Sequence, residues 1–79
     1  MRGTVRLSDL TTQHRARICT LPAGAALSRR LRALGLRPGV TVQLLRQAPL
    51  GDPLQIAVGG TSLAMRRHEA EQLLIELEI

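Results

Sequence analysis

The side chains able to do chemistry in this 79-residue chain are few and scattered: His14, Cys19, His68, Glu69, Glu71, three isolated serines, and bases that are all arginine. A zinc site needs three or four ligands within about 2.0–2.3 Å of the ion, announced by closely spaced Cys and His pairs. Only His68, Glu69 and Glu71 lie close together, and neighbours on a helix point in different directions. No metal site is expected, and His14 and His68 are placed at the surface. Cys19 is the only cysteine, so it forms neither an internal disulfide nor half of a CxxC site, and it reads as a small apolar group on a strand. Nucleophilic catalysis requires a base beside the nucleophile and a third group orienting that base. Ser8, Ser28, Ser62 and Cys19 have no such local setting. Gly59-Gly60 lacks the spaced glycines and the following Lys and Ser or Thr of a phosphate loop. The expectation is therefore no catalytic residue and no cofactor.

What remains is charge. Eleven arginines against six acids give a formal net charge of +5, which favours an acidic partner or surface. Nucleic acid is one such partner, but Phe, Tyr and Trp are all absent. Small barrels that bind single strands stack bases on aromatic rings, worth roughly 1–3 kcal/mol per base. Phosphate contacts from Arg29, Arg30, Arg32, Arg66 and Arg67 alone would give weak, salt-sensitive binding, so no nucleic-acid partner is expected. No apolar run approaches the roughly 20 residues that span a bilayer, and no continuous apolar segment follows Arg2 and Arg6. The chain is read as cytoplasmic, without direct membrane insertion.

The elements that position these groups are legible from periodicity. Residues 1–79 suit one small domain with an aliphatic core of Leu, Ile, Val, Ala and Met. Leu7-Ser8-Asp9-Leu10 reads as a short turn in which Ser8 or Asp9 caps the backbone and both leucines face inward. From His14 to Thr20 the pattern alternates, with Ala16, Ile18 and Thr20 on one face and Arg15 and Arg17 on the other. Pro22 and Gly24 then lead into a helix from about Ala25 to Leu34. Its core stripe is Leu27, Leu31 and Leu34, and Arg29, Arg30 and Arg32 lie outside it.

Gly35 suits the left-handed residue that closes this helix, Leu36 folds back on its last turn, and Pro38-Gly39 fit the centre of a type II turn. Val40, Val42 and Leu44 alternate with polar residues in a strand ending near Arg46 or Gln47. Ala48-Pro49-Leu50-Gly51-Asp52-Pro53 is a rigid exposed loop, its prolines fixing φ and withholding donors, with Leu50 at its tip. Leu54, Ile56 and Val58 form a strand, Gly59-Gly60 a pair that readily takes the positive φ angles of a tight hairpin turn, and Thr61 to Arg66 the return strand with Leu63 and Met65 on one face. A helical turn within Arg67 to Leu73 buries Ala70 and Leu73. Ile75, Leu77 and Ile79 alternate with Glu76 and Glu78 in a closing strand whose acids face water. The fold class is all-β, a small partly closed barrel of about five strands, with a short helix after the first strand and a helical turn before the last.

These landmarks resemble the FeoA family of small SH3-like barrel domains associated with bacterial ferrous iron uptake. The resemblance rests on Arg30-Leu31, Leu34-Gly35-Leu36, Pro38-Gly39, the 48–53 loop, Gly60-Thr61 with Leu63, and Arg66, Glu69 and Ala70, and it runs nearly end to end. Gln13, where the family often has a turn glycine, departs from the pattern, as do Arg17 and Cys19 around Ile18. The resemblance implies a non-catalytic accessory protein acting on the cytoplasmic side of the FeoB iron transporter, with that transporter's cytoplasmic domain as partner. The same barrel resembles the C-terminal domain of iron-dependent repressors, which implies an iron-responsive regulatory domain as one alternative; the positive charge keeps a small basic nucleic-acid-binding domain as the other. Arg29, Arg30, Arg32, Leu50 and Arg66 are the candidate partner-binding residues, while Gly35, Pro38, Gly39, Gly59 and Gly60 are structural turns. Self-association is left open.

Overall fold

Alternating apolar residues build six strands, not five, in the computed structural model, which describes residues 3–78. Strand β1 is Val5–Arg6, followed by a 3₁₀ turn, Leu7–Asp9; β2 is Arg15–Thr20, α1 Ala25–Ala33, β3 Thr41–Gln47, β4 Leu54–Val58, β5 Thr61–Met65, α2 Arg67–Ala70 and β6 Leu74–Glu78. The additional strand, β1, pairs with β6 through Val5 opposite Ile75 and Arg6 opposite Leu74. Two residues are too few to show a period in the sequence, and only the pairing defines them. Ile79, expected at the end of the closing strand, lies outside the described residues.

All strand pairs are antiparallel, in the order β1-β6-β2-β3-β4-β5. Ala16 and Ile18 from β2, Val42 and Leu44 from β3, Leu54, Ile56 and Val58 from β4, Met65 from β5 and Ile75 from β6 are buried in one cluster. One nine-residue helix cannot cover six strands, so the sheet must curl onto its own inner face. Register shifts between Ile18 and Thr20 and between Leu44 and Arg46 are where it bends. The first also explains a departure: Thr20, expected on the inner face with Ile18, is exposed.

Helix α1 ends as its residues dictate. The Leu36 amide donates to the Leu31 carbonyl (3.0 Å) and the Gly35 amide to that of Arg32 (3.0 Å), the paired bonds of a Schellman cap, with Gly35 at φ +100°. This cap corrects the expected stripe. Leu31 is buried and Leu27 packs against the core, but Leu34 sits at the cap and is 44% exposed, while Leu36, turned back by Gly35, is fully buried in its place. Val40 donates to Arg37 (3.1 Å) across Pro38 and Gly39, whose φ of +93° meets the type II requirement. Gly39 and Val40 then bond both polar groups of Ile18, seating the turn on β2.

Three smaller expectations need correction. No side chain caps the 3₁₀ turn; Leu7 and Leu10 are buried as expected, but Ser8 is buried too and Asp9 lies 3.9 Å from Arg6. Only Gly59 of the hairpin pair takes positive φ (+59°), the pattern of a type II′ turn. Glu76 and Glu78 are half-buried and not fully in water, and Glu78 accepts from Thr41 Oγ1 of β3 (3.1 Å) and Arg17 Nη2 of β2 (3.4 Å).

Candidate interaction surface

The rigid loop is held by more than its prolines. Gly51 donates to Ala48 (2.7 Å) across Pro49 and Leu50, and Ala48 donates to Pro53 (3.1 Å); Gly51 has positive φ and the Asp52–Pro53 peptide is cis. Arg67, the first residue of α2, clasps this loop from the side. Its backbone amide donates to Asp52 Oδ1 (3.0 Å), Nε to the Gly51 carbonyl (3.0 Å) and Nη2 to Gln47 Oε1 (3.4 Å), while Nη1 reaches the Ser8 carbonyl (3.1 Å). The planar five-donor guanidinium suits such a fork, because its donors are fixed relative to one another. At the loop's tip Leu50 is 96% exposed. Beside the loop a groove of about 310 Å³ is lined by Arg46, Gln47, Ala48, Pro49, Pro53 and Gln55.

The candidate arginines fall into two groups. Arg30 leaves α1 to form an ion pair with Glu69 of α2, and the other oxygen of Glu69 accepts the Arg66 amide (3.2 Å). The Arg66 side chain lies 3.9 Å from Asp52 in the loop. Arg30, Arg66 and the Leu50 loop are thus tied to one short helix, α2. Arg29 and Arg32 are exposed and belong to the other group: with Arg15, Arg37 and Arg46 they have no acidic partner among the described residues. In the sequence Arg67 reads only as one of the arginines able to contact phosphate. Its structural role was hidden because its partners lie 15 to 59 residues away.

The remaining reactive groups are dispersed. His14 Nδ1 lies 3.0 Å from Thr11 Oγ1 at the surface, His68 is exposed, and half-buried Cys19 has its sulfur 3.8 Å from the Arg17 carbonyl. Among the described residues no three His, Cys, Asp or Glu side chains are grouped to hold a metal ion, and no helix is long and apolar enough to cross a membrane. What the geometry offers is a shaped surface: an apolar tip on a clamped loop beside cationic side chains.

A family model for the FeoA domain matches residues 5–77. The chain is 29% identical over 73 residues to an Fe(2+) transport protein A/Fe(2+) transporter FeoB fusion protein of Porphyromonas gingivalis; the match covers 92% of this chain and only 9% of that relative's length. Among solved structures, FeoA of Chlorobium tepidum is 40% identical with a TM-score of 0.89, over 95% of this chain and 71% of that one. FeoA of Stenotrophomonas maltophilia, an SH3 domain protein solved in complex with zinc, is 33% identical with a TM-score of 0.76, over 90% of this chain and 88% of that one.

Proposed function

From the premise that this chain belongs to the FeoA family, with the family's SH3-like barrel, we propose that it is an accessory protein of ferrous iron uptake. In this reading it is a cytoplasmic, non-catalytic interaction domain that docks on the cytoplasmic part of a FeoB-type transporter. The observation that carries the reading is the Porphyromonas gingivalis relative, in which transport protein A and transporter FeoB share one polypeptide. Fusion raises the effective concentration of one module at the other, an arrangement that helps modules that work in contact.

The surface described above supports the same reading. Binding energy concentrates on a few anchors that enter pockets already shaped, and ordering a loop on binding costs affinity that a clamped loop does not lose. Leu50 would be the apolar anchor, with Arg29, Arg30, Arg32 and Arg66 steering an acidic partner, since rim charges act mainly on association rate and orientation. Capture of the transporter's cytoplasmic domain from extract of the same cells tests this. The native protein should retain it, and a Leu50→Asp, Arg29→Glu double variant of unchanged fold should not. Undiminished capture by the double variant would remove this surface; no capture by the native protein would remove the partner.

A further inference from the structure

Every open sheet has two edges, and proteins normally blunt both with short strands, charges, proline or bulges. Here only one is blunted. β1 is two residues long and carries Arg6, whereas β5 presents Thr61-Ser62-Leu63-Ala64-Met65 without a charge or a proline, in unbroken register with β4. Antiparallel residues bond alternately to one side and the other, and the alternation can be followed across the sheet. Ile18 bonds Val40, so Ala16 and Val42 face each other, Gln43 and Ala57 bond next, and Val58, Ile56 and Leu54 bond Thr61, Leu63 and Met65. Ser62 and Ala64 are left with N–H and C=O directed out of the sheet. Both residues are exposed, and among the described residues nothing bonds these groups. The next outward amide, that of Arg66, is taken by Glu69 Oε1, which closes the open run at that end.

We propose that two copies of this chain associate through β5, pairing antiparallel about a two-fold axis at Leu63 into one continuous sheet. In that register Ser62 faces Ala64 of the second copy, Ala64 faces its Ser62, and the two Leu63 side chains meet. Each of the two exchanged pairs makes two hydrogen bonds, about four in all. Small residues oppose small residues and leucine opposes leucine, which suits the close approach of non-bonded pairs. The chain's net charge of +5 does not oppose this contact, because no side chain from Thr61 to Met65 is charged. Arg66, the first charge beyond it, lies beside Asp52 and would face Gly60 of the second copy. The same neutrality disfavours an acidic segment as occupant, since the strand offers it no cation. So short an edge buries less than a standard interface of about 1,600 Å², so the dimer is a weak one, formed at high local concentration.

The test is an amide-resolved NMR dilution series with translational diffusion, from tens of micromolar to millimolar protein. Diffusion should slow toward that of a dimer as concentration rises, with the largest shifts at Ser62, Leu63 and Ala64, and added salt should not reverse it. Ala64→Lys, which sets like charges on the edge, should weaken association at least tenfold. Ser62→Pro should do the same while leaving the ladder to β4 intact, because the lost N–H faces outward. Concentration-independent diffusion would overturn the proposal, as would shifts mapping away from β5, or β5 shifts that arise only on adding another protein's extended segment.

Discussion

Arg67 stands in a chain with surplus positive charge, yet its guanidinium serves neutral oxygens, those of Gly51, Ser8 and Gln47. Hydrogen bonds from a charged donor are the stronger kind, and deleting this donor leaves the part-buried Gly51 and Ser8 carbonyls unsatisfied. Arg67→Ala should therefore cost about 2 kcal/mol in urea unfolding. Arg67→Lys should recover little of it, since an ammonium cannot reproduce the fork. Hydrogen exchange in residues 48–53 should rise in both variants. Its neighbour Arg66 is more exposed, with a carboxylate at 3.9 Å, and Arg66→Ala should change stability by less than about 0.5 kcal/mol. Leu50→Ser should be equally silent in stability, because Leu50 covers nothing. The two adjacent arginines look alike in sequence; what separates them is that the Arg67 guanidinium bonds the loop's backbone, whereas that of Arg66 only lies beside Asp52.

Among the elements, α1 shows where periodicity misleads. A stripe at positions 27, 31 and 34 fits a helix of any length, but this helix ends at Ala33, Leu34 sits exposed at its cap, and Gly35 at φ +100° turns Leu36 back onto the core. Leu31→Ala should accordingly cost about 3 kcal/mol, by lost burial plus a cavity, and Leu34→Ala under about 1 kcal/mol, measured by thermal or urea unfolding. At Gly35 itself a β-carbon would lie 3.6 Å from Val58 Cγ1, an ordinary contact. The penalty of Gly35→Ala is thus backbone strain and not a clash, about 1–2 kcal/mol, and Gly35→Val should be worse because branching at Cβ strains that region further. The link between α1 and α2 through Arg30 and Glu69 explains why one candidate arginine is less available than its neighbours, a pairing across 39 residues that no local pattern announces.

For the molecule as a whole, a net charge of +5 leaves the folded state repelling itself, so moderate salt should raise its melting temperature. The same salt should slow association with an acidic partner, because steering is screened; a partner rate indifferent to salt would argue against the arginines having any part in docking. Most of the barrel was legible in the chain because its strands are half-buried and alternate, and its turns use residues that only certain φ values suit: Gly35, Pro38, Gly39 and Gly59. The loop's rigidity and Leu50's exposure were legible for the same reason, two prolines and a glycine in six residues. Local chemistry, in short, determined the elements and their order. Tertiary structure alone decided the sixth strand, the separation of Arg67 from Arg66, and the open edge at β5. Each of these depends on which atoms meet across long stretches of chain, and neither side-chain period nor turn preference carries information over that distance.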